Sequence, residues 1–210
     1  MMNTALGTWM GLLATTAAAQ PSVAFDSLAP DRDSIGASGC RDCETARLVT
    51  LETTPNSYVT ALQFRLWNTD SVDPFTGQVR AAVYMDNGNP GVRPGDEITS
   101  GWTDLSFAPG ENRIVTIDLP DALIPSDKIW ISYYIPGDET LGWVFNSVAQ
   151  PAVGTMTDVS RSREDGTGDW VGRGYVPQAQ EARVLVIPAP GTAMAIGLVG
   201  IALRRRRNTQ

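Results

Sequence analysis

The side chains able to do chemistry are few, and one absence decides most of what they can do. The 210-residue chain contains no histidine, a single lysine (Lys128), two cysteines and 23 Asp+Glu. Without histidine, a Ser-His-Asp or Cys-His nucleophile cannot be built, nor can a zinc site of the usual His-bearing kinds. A Ser-Lys pair could use only Lys128, and no serine stands in a recognised motif beside it. Paired carboxylates of the glycosidase type are compatible with so many acidic residues. Most of these, however, sit among Asn, Gly and Pro, where Asp is expected as a turn residue. The expectation is a chain that is not an enzyme.

Cys40 and Cys43, in Gly39-Cys40-Arg41-Asp42-Cys43-Glu44, form a Cys-x-x-Cys pair with three readings. A redox centre wants its first thiol at a helix N-terminus in a thioredoxin-like unit. A metal site wants about four ligands, and two are present. A short-range disulfide in an oxidising compartment is the reading the surroundings favour. Oxygen ligands for calcium gather around Asp86-Asn87-Gly88-Asn89, with Asp96 and Glu97 beyond Gly95. The EF-hand pattern fails because Gly88 occupies its third position, so Asp86, Asn89 and Asp96 are candidates only for an irregular site. No other cofactor is implied. Among the aromatic residues, Trp67, Trp130 and Tyr134 fall on rows opposite the aliphatic ones. Exposed together they would make a stacking platform for sugar rings; the alternative is that Trp130 packs in the core or under a loop.

These residues are carried by strands. Leu62, Phe64 and Leu66 alternate with Gln63, Arg65 and Trp67. Val79, Ala81, Val83 and Met85 alternate with Arg80, Ala82 and Tyr84, and Val115, Ile117 and Leu119 with Thr116 and Asp118. Ile129, Ile131, Tyr133 and Ile135 alternate with Trp130, Ser132 and Tyr134. Period-two patterning of this kind marks half-buried strands. Further strands are expected at 141–145 and 183–186, with weaker candidates near 46–52, 98–107 and 153–161. Turn clusters such as Pro136-Gly137-Asp138 and Asp165-Gly166-Thr167-Gly168 punctuate them. Eight or nine short strands at this spacing predict an all-β fold, a single β-sandwich of jelly-roll type.

The two ends read as addresses. Ala5–Ala19 is apolar or small, and Ala17-Ala18-Ala19 before Gln20 fits the small-x-small pattern of a signal peptide over 1–19. At the other end stand Pro188-Ala189-Pro190-Gly191, an apolar run to Leu203, and Arg204-Arg205-Arg206-Arg207. The 13 residues from Gly191 to Leu203 would reach roughly 20 Å as a helix, short of the roughly 30 Å hydrocarbon core. The arginines would hold that end in the cytoplasm, leaving the body on the exported side. On these residues the tail resembles the PEP-CTERM sorting signal of Gram-negative bacteria: a Pro-Glu-Pro-like motif, a short hydrophobic helix and an arginine cluster. It departs at Ala189, where the usual residue is Glu, and looks like a Pro-Ala-Pro variant. The resemblance implies transient inner-membrane anchoring, cleavage near Pro188–Pro190 by an exosortase-type protease after signal peptidase has acted, and delivery to the cell surface or extracellular matrix.

The expected organisation is therefore a signal peptide (1–19), an N-terminal extension carrying the cysteines (20–45), a β-sandwich (46–187) and the sorting signal (188–210). Once the four tail arginines are set aside, 12 Lys+Arg face 23 Asp+Glu. So acidic a body disfavours nucleic acid as a partner. The function expected is that of a non-catalytic envelope or matrix protein with a structural or adhesive role. The alternative is a carbohydrate- or calcium-binding module that meets extracellular polysaccharide, with a hydrolase a distant third.

Overall fold

The computed structural model describes residues 20–28, 34–38, 42–52, 56–87, 93–137, 140–146, 151–175 and 179–189. Among them there is no helix, and thirteen strands follow one another: β1 (Ser22–Asp26), β2 (Ser34–Ser38), β3 (Cys43–Thr50), β4 (Ser57–Asn68), β5 (Phe75–Asp86), β6 (Pro94–Phe107), β7 (Asn112–Leu123), β8 (Lys128–Tyr134), β9 (Leu141–Asn146), β10 (Thr155–Glu164), β11 (Val171–Tyr175), β12 (Ala179–Gln180) and β13 (Ala182–Pro188). They form two antiparallel sheets. The first has the order β1-β13-β4-β9-β12, with β2 added on β9 and β7 on β4; the second has the order β11-β10-β3-β8-β5-β6.

The alternating rows place the core. Leu62, Phe64 and Leu66 of β4, Val115 and Ile117 of β7, Val79, Ala81 and Val83 of β5, and Ile129, Ile131 and Tyr133 of β8 are all buried in one cluster between the sheets. Trp143 packs there edge-on to both Phe64 and Tyr133, with the Phe64 and Trp143 ring centres 4.9 Å apart at 88°. Met85, expected on the inward row of β5, is instead 38% exposed. The bulges beside Tyr84 add their extra residues to β6, while β5 keeps its register with β8 as far as Met85 opposite Ile129, the last pair of that ladder.

One corner joins the sheets. Strands β6 and β7 lie in different sheets yet touch: Thr99 Oγ1 donates to the Pro120 carbonyl at 2.9 Å. A Cβ on Gly101 would meet the Asp118 carbonyl oxygen at 2.2 Å, so only glycine fits this approach.

The described parts of 20–45 are not an extension ahead of the sandwich but strands of its sheets. Phe25 and Ala24 are fully buried, β1 is hydrogen-bonded along β13, β2 pairs with β9, and β3 begins at Cys43. Five-residue strands separated by Pro, Asp and Gly are too short to show a period, so only their long-range pairing reveals them. Among the described residues no helix is long and apolar enough to cross a membrane; the leader 1–19 and the run 191–203 lie outside them.

Candidate ligand-binding face of the second sheet

Cross-strand pairing on the second sheet sets Arg163 (β10), Glu44 (β3), Tyr134 (β8), Arg80 (β5) and Trp102 (β6) side by side. The neighbouring rows are Ala46, Ser132 and Ala82, then Leu48, Trp130, Tyr84 and Glu97. This is the face away from the main core. It carries its own satellite cluster of Ala46, Leu48, Ala82, Tyr84 and Trp130, against which Val159 and Trp170 pack.

Trp170 reaches that face because the β10–β11 hairpin folds over the sheet. Asp165 and Gly166 both have positive φ, 52° and 65°, and Thr167 N–H bonds the Glu164 carbonyl at 3.1 Å. Asp-Gly is the sequence such a turn asks for, since both central residues must enter the left-handed region. The turn lies above the row: a Cβ on Gly166 would sit 3.6 Å from the Tyr134 ring and 3.7 Å from Glu44 Oε2. Asp165 N–H bonds the Asp42 carbonyl at 2.6 Å, tying the tip to the start of β3.

Glu44 holds the hairpin down. Its side chain is 1% exposed. Oε1 accepts from Tyr84 Oη at 2.6 Å, Ser132 Oγ at 2.5 Å and Arg80 Nη1 at 3.3 Å. Oε2 takes Arg163 Nε at 2.8 Å and Nη2 at 2.6 Å. Arg163 also bonds Tyr84 Oη at 2.7 Å and stacks its guanidinium 4.6 Å from the Trp170 ring centre. Arg80 reaches Glu97 through Nη2. Burial, and then the Glu44 charge, push the Tyr84 phenol well above its ordinary range, so it stays a neutral donor. A buried carboxylate is tolerable only when paired and fully hydrogen-bonded, and here every oxygen is.

Beside this brace a cleft of about 460 Å³ opens between the β5–β6 hairpin and the segment after the β10–β11 turn. Met85, Asn87, Arg93 and Asp96 line one side, and Arg163, Asp169 and Trp170 the other. The hydrogen bonds of Arg163 to described residues run through Nε and Nη2, which leaves Nη1 for the cleft. Further along the same face Trp102 is 50% exposed and stands edge-on to Tyr134, ring centres 6.1 Å apart.

The aromatic residues singled out in the sequence do not meet. Trp130 is fully buried under the hairpin, Trp67 is half-buried on β4 of the other sheet, and only Tyr134 belongs to the open part of this face. A stacking platform of Trp67, Trp130 and Tyr134 is thereby ruled out. Alternation assigns a residue to a row but does not say whether a distant segment covers that row. Of the calcium candidates, Asp86 is half-buried with Oδ1 lacking a hydrogen-bond partner, Asp96 is exposed at the cleft, and Asn89 lies outside the described residues. Among the described residues no three His, Cys, Asp or Glu side chains converge on a common ion position. Cys43 is disulfide-bonded, and Cys40 lies outside the described residues. Pro188 ends β13 opposite Ser57, and Ala189 N–H bonds the Asn56 carbonyl at 3.0 Å. Pro190, Gly191 and Arg204–Arg207 lie outside the described residues.

Sequence reasoning missed Glu44, Arg80, Arg163, Trp102 and Trp170. One signal was available: Arg80 and Arg163 are charges inside strand-forming runs, where a charge needs a partner. No family model and no curated protein matches the chain.

Proposed function

We propose that this chain is an exported, non-catalytic component of the cell envelope or extracellular matrix, sorted through its PEP-CTERM-like tail. Its body, on this reading, is a jelly-roll sandwich with a structural or adhesive role. The jelly-roll assignment is supported by four nested antiparallel pairs: β1 with β13, β3 with β8, β4 with β7, and β5 with β6. The first and last described strands pair outermost and the middle hairpin innermost, which is how a long hairpin wraps into two sheets. The strands β2, β9, β10, β11 and β12 are additions to that frame.

The observation that carries the non-catalytic reading is Glu44. It is the most deeply buried carboxylate on the candidate face, and five donor contacts from four side chains hold it as a brace. A general acid or base must exchange a proton with substrate, and a group so enclosed acts on the hairpin instead. The tail fits the same picture, because β13 runs directly into the sorting motif, whose first residue, Pro188, is the last residue of the strand.

Intact mass and fractionation of the native protein test the sorting. Loss of residues beyond about 190 and release from the inner membrane are expected; a full-length chain retained there with Arg204–Arg207 would overturn the proposal. A second reading, a carbohydrate- or calcium-binding surface module, is favoured by one feature, the polar cleft beside the brace.

A further inference from the structure

We infer that the cleft between the β5–β6 hairpin and the β10–β11 hairpin binds an uncharged, hydroxyl-rich ligand: a neutral saccharide segment of an extracellular polysaccharide. This deepens the adhesive reading above and rests on it for the source of the ligand, but the binding chemistry stands on the cleft itself.

The size comes first. About 460 Å³ lies within the range of clefts that hold small ligands, roughly 300–1,000 Å³. The charges then choose the class. Two guanidinium groups, Arg93 and Arg163, share the lining with two carboxylates, Asp96 and Asp169. Arg163 is already paired with Glu44, so an anion would meet one unpaired guanidinium against two carboxylates, while a cation would have to approach both Arg93 and the fixed Arg163 guanidinium; neither finds a lining of one sign. A neutral polyol uses both sets, because each hydroxyl is at once donor and acceptor. Arg93, Asp96 and Asp169 are exposed and form no ion pair with any described residue, so their hydrogen-bonding capacity is free for a ligand.

The wall of the cleft supplies the rest. Trp170 and Met85 give apolar surface of the sort that the C–H face of a sugar ring packs against. The polar groups of Arg163 are preset: Glu44 and Tyr84 fix its guanidinium through Nε and Nη2, and the Trp170 ring lies 4.6 Å from its centre. A donor held by its surroundings loses little entropy on binding. The buried brace and the open cleft are thus one device, the first orienting the arginine that the second presents. The acidic body works in the same direction, since long-range repulsion disfavours acidic polysaccharides.

Affinity electrophoresis of the purified full-length chain through gels containing a neutral β-glucan, a neutral galactomannan, polygalacturonate or alginate tests this. Retardation by at least one neutral polymer is expected, with tenfold or greater weakening in Trp170→Ala and in the double variant Asp96→Ala/Asp169→Ala. Both aspartates are exposed, so the double variant decides the matter should Trp170→Ala unfold. Retardation by the acidic polymers alone, by none of the four, or by a neutral polymer equally well in the double variant would each overturn the inference. The measurement needs no sorting, so failure here leaves the export proposal standing, and failure of fractionation leaves this one standing.

Discussion

The outer faces of the two sheets are built from the same kind of cross-strand row and end in opposite environments. On the first sheet, Arg183, Gln63 and Thr116 stand side by side and bond laterally: Arg183 Nη1 to Gln63 Oε1 at 3.2 Å, and Gln63 Nε2 to Thr116 Oγ1 at 2.9 Å. The row stays open to water, and Ile114 nearby is 43% exposed. On the second sheet the corresponding row is roofed by the β10–β11 hairpin, which buries Glu44 and Trp130 and leaves a cleft at its margin. Charged residues on a sheet therefore say little until the element above them is known. In water they add solubility and tenths of a kcal/mol; under a roof they become a brace whose removal is costly.

The largest effect expected from that contrast is at Glu44. Glu44→Ala leaves Arg80, Arg163, Tyr84 and Ser132 without their shared acceptor and should cost about 3–5 kcal/mol in urea unfolding. Gln63→Ala on the open face should stay within about 0.5 kcal/mol. Equal losses at the two sites would dissolve the comparison.

Next in size is the satellite core. Trp130→Ala should cost about 3 kcal/mol, the low end for a buried Trp, because a small cluster can partly close over the gap. Trp67→Ala on the first sheet should cost about 1 kcal/mol, since its ring is only half-buried. Thermal and urea midpoints of the two variants check the ranking.

Turn strain should not distinguish the faces. Gly166, in the roof turn, and Gly110, in the loop between β6 and β7, have φ of 65° and 70°, and neither Cβ would meet a neighbour closer than ordinary contact. Alanine at each should cost about 1–2 kcal/mol by backbone conformation alone. A markedly larger loss at Gly166 would mean that the turn itself, not Glu44, holds the hairpin down.

Acid should give the smallest and most discriminating effect. For Glu97, burial alone would raise the carboxyl; the hydrogen bond from Ser100 and the bond and charge of Arg80 together outweigh it and hold it below the usual range. Asp70, beside the first sheet, is lowered by the backbone N–H groups of Asp73 and Val72, whose hydrogen bonds measure 3.0 and 2.7 Å. A lowered carboxyl contributes stability that is present above its unfolded value, about 4, and is lost as pH falls through the folded one. Both Glu97→Gln and Asp70→Asn should therefore flatten the acid limb of a stability–pH curve. Only the Glu97 contribution should shrink in 0.5 M salt, because its partner Arg80 is a charge and those of Asp70 are backbone dipoles.

How much of this was legible follows from which contacts are local. The alternation in β4, β5, β7 and β8 placed Leu62, Phe64, Val83, Ile117 and Ile131 on inward rows, and all are fully buried. The same alternation put Trp130 and Tyr134 on one row and could not separate them. Trp130 lies under the hairpin that carries Trp170, and Tyr134 stays partly open beside Trp102. Trp170 is forty positions beyond Trp130, and nothing in the local pattern of either announces their meeting. The strands of 20–45 were missed for the same reason: β1 is recognisable only from its ladder to β13, at the far end of the described chain.

By itself the sequence determined the all-β class, the inward rows of the long strands and the Asp-Gly turn at 165–166. Each of these depends on the chemistry of a residue and its immediate neighbours. The absence of histidine excluded whole families of catalytic chemistry on the same footing. Only the tertiary structure decided that Glu44, Arg80 and Arg163 form one buried brace, that the roof closes over Trp130, and that Arg93, Asp96, Asp169 and Trp170 border one cleft. These residues come from strands and turns far apart in the chain, and only sheet pairing and a folded-over hairpin bring them within bonding distance.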